Sequence, residues 1–105
     1  AFIKDVRKDL GVPGLPFVIA NTGMVGMEAK GGRLELCNMQ MAVGDSSKHP
    51  EFAGTVASVD TRPFKLPREK AVSGFGYHWN HSAHSHWKVG ESMGKAMVRL
   101  LGLGK

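Results

Sequence analysis

Cysteine is almost absent from this chain. Cys37 stands alone among 105 residues, so no internal disulfide holds the fold, and no oxidising compartment is required. Long apolar runs are missing too: none approaches the roughly 20 residues needed to cross a bilayer. The opening Ala1-Phe2-Ile3-Lys4-Asp5 carries no secretory-signal pattern. The reading is of a soluble domain with no membrane segment and an open choice of compartment. Aromatics are scarce, at 8%. The net charge of +5 raises the question of nucleic acid, but Lys4, Arg7, Lys8, Lys30, Arg33 and Lys48 are scattered, and a looser group runs from Arg62 to Lys70. No basic stripe with interleaved aromatics forms, so no nucleic-acid partner is expected. Internal repeats and low-complexity segments are also lacking.

What is present is an ordinary globular composition, 42% apolar and 22% charged, in a length that allows one small domain with a thin core. Phe2, Val6 and Leu10 recur four apart and predict an amphipathic helix over 2–10, stopped by Gly11 and Pro13. Phe17-Val18-Ile19-Ala20 is a short apolar run suited to a strand buried on both faces of a parallel sheet. Residues 21–32 read as a glycine-rich loop. Arg33 to Val43 reads as a helix with Leu34, Cys37 and Met41 in one stripe, where Cys37 is core. Val56-Ala57-Ser58-Val59, ending on Asp60, is the second strand. Residues 61–77 form a long irregular loop. The last helix is expected to start between Ser82 and Ser85 and to run to about Leu101, burying Met93, Met97, Leu100 and Leu101. Gly90 and Gly94, one turn apart, offer close packing against a sheet or else two helix-weakening positions. This alternation argues for an α/β fold with parallel strands. Two strands make a poor sheet on their own, and the sequence reads as part of a larger domain.

In open α/β sheets ligands bind outside the carboxyl ends of the strands. That rule points to Asn21-Thr22-Gly23, to Asp60-Thr61-Arg62, and to Tyr77-His78-Trp79-Asn80 after the long loop. A histidine before the final helix is a candidate general base, since imidazole exchanges protons near neutral pH. An ordinary loop histidine is the alternative.

The stretch Gly76-Tyr77-His78-Trp79-Asn80-His81-Ser82-Ala83, followed by Val89-Gly90-Glu91-Ser92-Met93-Gly94-Lys95-Ala96-Met97, resembles the C-terminal end of the sialate O-acetylesterase-type carbohydrate esterases of the SGNH hydrolase superfamily. Leu15–Ile19, Met39–Val43, His49-Pro50-Glu51-Phe52 and Val59-Asp60-Thr61-Arg62-Pro63-Phe64 are similar to the same family, and the five blocks in order cover nearly the whole chain. The resemblance implies a three-layer α/β/α fold, hydrolysis of O-acetyl esters on carbohydrates without a cofactor, and His78 as catalytic base. The Gly-Gln-Ser nucleophile block and the oxyanion glycine and asparagine blocks have no counterpart here. The chain would correspond to roughly the last third of such an enzyme and is expected to be inactive alone. Many SGNH enzymes carry an aspartate three residues before the histidine; here that position is Phe75. Asp60 is the candidate acid, with capping of its own loop through Thr61 or Arg62 as the alternative. Trp79 and Asn80 are candidates to line the sugar site, or Trp79 packs beneath the last helix.

Two further patterns carry other chemistry. His78, His81, His84 and His86 cluster as zinc sites do, but no cysteine or carboxylate is interleaved at ligand spacing, so no metal is expected. Gly90-Glu91-Ser92-Met93-Gly94 spells the letters of a nucleophile elbow, yet no strand precedes it, and Ser92 belongs inside a helix. A reading from a different class is a non-catalytic α/β module that binds or self-assembles. Either way a homo-oligomer or a companion segment is expected, because two strands leave an unpaired edge.

Overall fold

The computed structural model describes residues 1–75 and 78–103. Gly76 and Tyr77, which open the histidine motif, lie outside the described residues. Helix α1 spans Phe2–Asp9, strand β1 Phe17–Ala20, helix α2 Gly31–Val43, strand β2 Val56–Val59 and helix α3 Ala83–Leu100. Short 3₁₀ turns occupy Gly23–Glu28, Pro50–Phe52, Arg62–Phe64, Arg68–Lys70 and His78–His81. The described residues therefore form a mixed α/β fold with a two-stranded parallel sheet and three α-helices. Among the described residues no helix is long and apolar enough to cross a membrane.

Helix α1 buries a different stripe from the one its apolar residues predict. Phe2 and Leu10 are 72% and 63% exposed, while Ile3 and Arg7, one turn apart, are buried. The reason is Arg7. Its Nε and Nη2 donate to the Leu15 carbonyl at 3.0 and 2.8 Å. The guanidinium also lies 5.8 Å from the Phe17 ring centroid and 5.6 Å from that of Phe52. A planar cation that satisfies a carbonyl and covers aromatic faces behaves as a core residue. It joins α1 to the start of β1. Gly11, at φ +65°, supplies the left-handed stop predicted for it.

Strands β1 and β2 pair in parallel, with Phe17 opposite Val56 and Ala20 opposite Val59. Helix α2 connects them, and α2 and α3 both pack against both strands. Gly44, at the end of α2, permits this approach: its N–H donates to Ser58 Oγ at 3.0 Å, and Ser58 Oγ donates on to the Gln40 carbonyl at 2.8 Å. A Cβ on Gly44 would lie 2.3 Å from the Ser58 nitrogen. Burial of the strands falls short of expectation. All four residues of β1 are half-buried, and Val56 alone is buried in β2; in a sheet of two strands each is an edge strand, paired on one side only.

The α2 stripe follows its periodicity, with Cys37 1% exposed and Leu34 and Met41 half-buried. Helix α3 departs from its pattern. Ser85 and Ala96 are its buried residues; Met93, Met97 and Leu100 are half-buried, and Leu101 is 52% exposed. Gly90 and Gly94 meet no neighbour within 4 Å of an added Cβ, so they face open space rather than the sheet. At its N-terminal end small polar side chains hold the helix: Ser82 caps it by accepting from the Ser85 N–H at 3.1 Å, and Ser85 Oγ donates to the Phe64 carbonyl of the Arg62–Phe64 turn at 2.6 Å.

Candidate functional site

The carboxyl ends of β1 and β2 lead into Asn21 and Asp60, and these side chains tie the two exits together. The Asn21 N–H continues the ladder to the Val59 carbonyl at 3.1 Å. Its side-chain Nδ2 donates to Asp60 Oδ1 at 2.9 Å, and its Oδ1 accepts from the Thr61 N–H at 2.9 Å. Thr61 Oγ1 lies 2.9 Å from both the Asn21 carbonyl and Asn21 Oδ1. Thr61 is fully buried and Asn21 is 4% exposed. The sequel to β1 then passes so close that a Cβ on Gly23 would sit 2.5 Å from the Arg62 nitrogen and from Thr61 Oγ1. Glycine is required there by space.

Asp60 is held by its neighbours in the chain. Arg62 Nε donates to Oδ1 at 2.8 Å and Nη2 to Oδ2 at 2.7 Å, and the Arg62 N–H adds a third contact at 3.1 Å. The Arg62 side chain, followed by the Asn21 amide, lowers the Asp60 pKa to about 2 against the opposing effect of desolvation. The same carboxylate raises the Arg62 pKa. Asp60 is thus a carboxylate ionised at neutral pH in a two-pronged pair, and its bonds fix the link between the two strand exits.

His78 begins the 3₁₀ turn that precedes α3. Its N–H lies 3.3 Å from Met24 Sδ, which brings the turn onto the segment leaving β1. His78, Trp79, Asn80 and His81 have φ values of 54°, 54°, 53° and 58°. A left-handed conformation costs a non-glycine residue roughly 1–2 kcal/mol, so four in succession require outside support. That support comes from buried side chains and from the long loop. Trp79 is 8% exposed and Asn80 4%. Asn80 Nδ2 donates to the Leu66 carbonyl at 3.3 Å, and its own carbonyl accepts from the Ser73 N–H at 3.1 Å. The Ser82 N–H closes the turn onto the Trp79 carbonyl at 3.0 Å.

A cleft of about 640 Å³ opens beside this turn, lined among others by Met27, Leu66, Pro67, Arg68, Gly74 and Asn80. Of the residues singled out from sequence, Arg62 and Asn80 line this cleft, Arg62 with its guanidinium on Asp60 and Asn80 with its amide engaged by Leu66. Trp79 is packed inside. The two strand exits and the His78 turn meet through Met24, while Asp60 is held against Arg62 and Asn21. The four clustered histidines do not converge on one point: His78 and His81 stack at 6.0 Å, and the others turn to separate partners or to solvent. His81 Nδ1 contacts Ser73 Oγ at 2.6 Å, His86 Nδ1 contacts the Ser82 carbonyl at 2.9 Å, and His84 is exposed. Among the described residues no group of three or more His, Cys, Asp or Glu is placed to hold a metal ion. Ser92 lies within α3 and donates to the Val89 carbonyl at 2.8 Å, as a helical serine does.

Asn21 could be reached from the strand-end rule, though its bonds to Asp60 and Thr61 could not. Ser73 gave no signal, since a serine in an irregular loop eight residues before a histidine matches no recognisable spacing. No family model, curated protein or solved structure matches this chain.

Proposed function

We propose that this chain supplies the catalytic base of a carbohydrate O-acetylesterase of the SGNH type, with His78 as that base. The carrying observation is the position of the His78–His81 turn, left-handed throughout and docked through Met24 on the segment that leaves β1. Such conformations persist where surrounding structure enforces them, and they concentrate at functional sites. The carboxyl end of a parallel sheet is also where an α/β fold places its ligand. In this reading β1 and β2 belong to a three-layer α/β/α domain, the substrate is an acetylated carbohydrate, and no cofactor takes part. The serine and oxyanion donors lie in a segment outside these 105 residues. His78 takes the proton from that serine as it attacks the acetyl carbonyl, then returns it to the departing sugar hydroxyl. Asp60 is assigned to structure, because Arg62 and Asn21 occupy its oxygens.

The coding sequence upstream tests this directly. An in-frame Gly-Gln-Ser block is expected, and the protein that joins it to this chain should release acetate from acetylated xylo-oligosaccharides or acetylated sialic acid. A stop codon directly upstream, or a joined protein that releases none, contradicts the proposal.

The second reading, a non-catalytic module that works by association, draws on the apolar surface. Every β1 residue is half-exposed, and Phe2, Met39 and Leu36 are 72%, 68% and 46% exposed. Exposed apolar surface and an unpaired strand edge favour association, through a second copy or a companion segment. Sedimentation velocity of the chain at micromolar concentration distinguishes the readings: a discrete dimer supports self-assembly, and a folded monomer removes it.

A further inference from the structure

We infer that Ser73 and His81 form a nucleophile–base pair, separate from His78, that takes an acyl group from an activated ester. Ser73 Oγ lies 2.6 Å from His81 Nδ1, at the short end of the range for a serine paired with its base. The Phe75 N–H approaches the same oxygen at 3.4 Å. In the proposed pairing the Ser73 hydroxyl donates its hydrogen to His81 Nδ1, and its oxygen keeps a lone pair for the Phe75 N–H. The pair is held at both ends. The Ser73 N–H is anchored on the Asn80 carbonyl at 3.1 Å, within the residue that precedes His81. The His81 ring is fixed edge-on against Phe75 at 5.3 Å and stacked on His78 at 6.0 Å with 13° between the planes. A base within reach of a nucleophile, with its ring oriented by further groups, is the arrangement that activates a hydroxyl.

The Ser73–His81 contact is exposed, and the adjoining cleft is lined by their chain neighbours Gly74 and Asn80, together with the apolar Met27, Leu66 and Pro67. A small acyl chain fits such a lining, and a cleft of about 640 Å³ falls within the range of roughly 300–1,000 Å³ typical of small-molecule sites. The ligand class is a short-chain ester with a good leaving group, a phenolic ester or a thioester. As Oγ attacks the carbonyl carbon, its proton passes to His81 Nδ1 and a C–O bond forms. The tetrahedral intermediate then expels the phenolate or thiolate, which takes the proton from His81. Water releases the acid by the same route in reverse.

The test uses the 105-residue chain and a fluorophosphonate, in which Ser73 Oγ forms a P–O bond as the P–F bond breaks and fluoride leaves. One phosphonyl group per chain is expected, located on Ser73 by fragmentation of the tryptic peptide 71–88. Ser73→Ala should abolish this labelling. His81→Gln should slow it at least ~10²-fold, the lower end of what a general base contributes. Ser92→Ala should leave it unchanged. Circular dichroism of each variant shows whether its fold is kept, and Ser73→Cys, labelled with iodoacetamide, reads the same base dependence if the alanine variant unfolds. Absence of labelling, labelling spread over several serines, or a His81→Gln rate equal to that of the parent chain overturns the inference.

Discussion

The two halves of the parallel pair are closed by different chemistry. Along the strands the contacts are apolar and incomplete: β1 is half-buried throughout, and β2 buries Val56 alone. Beyond their carboxyl ends, Asn21, Thr61, Asn80, Ser82 and Ser85 are each at most 4% exposed. Among the described residues, every buried side-chain nitrogen or oxygen there has a hydrogen-bond partner. Apolar burial is non-directional and tolerates a partial cover. Hydrogen bonds among buried groups fix one arrangement and penalise any that leaves a partner unmet. The polar end is therefore the part of this small molecule suited to holding loop side chains in place, and it is where the left-handed histidine turn is found.

Substitution on the two sides tests that contrast most strongly. Asn21→Ala removes the amide bonds to Asp60 and to the Thr61 N–H, leaving the latter buried and unpaired; a loss of about 3 kcal/mol is expected, since such orphaned groups cost roughly 1–3 kcal/mol and a charged acceptor adds to it. Ile19→Val, on half-exposed β1, should cost about 0.5 kcal/mol or less, the bottom of the range for that change. Urea denaturation of both variants measures the difference, and equal losses would erase the comparison.

The Asp60–Arg62 pair gives a smaller effect, visible in pH. The folded-state pKa of about 2 lies below the ordinary 3.8. The pair therefore stabilises the fold at pH above about 4, and its contribution disappears as pH falls from 4 toward 2. After discounting for solvent screening of a partly exposed pair, about 1 kcal/mol is at stake. Asp60→Asn should flatten the stability profile across that interval; an unchanged slope would show that the pair contributes nothing to folding. Gly90→Ala should act in the opposite direction. The position is exposed and helical with open space around it, so alanine should stabilise by about 0.5–1 kcal/mol. A lowered melting temperature would mean that Gly90 is packed after all.

Local periodicity made most of the backbone legible. The run Phe17–Ala20 and the run Val56–Val59 are the two strands, and Ser82 caps α3 within the expected interval. Burial was less legible, because polar residues do much of it here. The pattern Phe2, Val6, Leu10 counts Arg7 as surface, yet Arg7 closes on Leu15, Phe17 and Phe52. Met93 and Met97 outrank Ser85 on any hydrophobicity scale, yet Ser85 is the residue that reaches the Phe64 carbonyl. Parts of the candidate site lay at the strand ends as the fold class implies. Its tertiary bonds, such as Asn21 to Thr61 and Ser73 to His81, join residues 40 and 8 positions apart, and no single-sequence pattern encodes them.

The most direct measurement on the central claim is the turnover number of two variants in a protein that joins this chain to the nucleophile segment proposed for it, assayed on one acetylated sugar. His78→Ala should lower kcat by at least ~10³, the scale of losing a triad member. Asp60→Asn, measured well below its melting temperature, should lower kcat by less than about tenfold, since its carboxylate serves Arg62 and Asn21. A comparable loss at both positions would make Asp60 the orienting acid, and an unchanged kcat in His78→Ala would contradict the account.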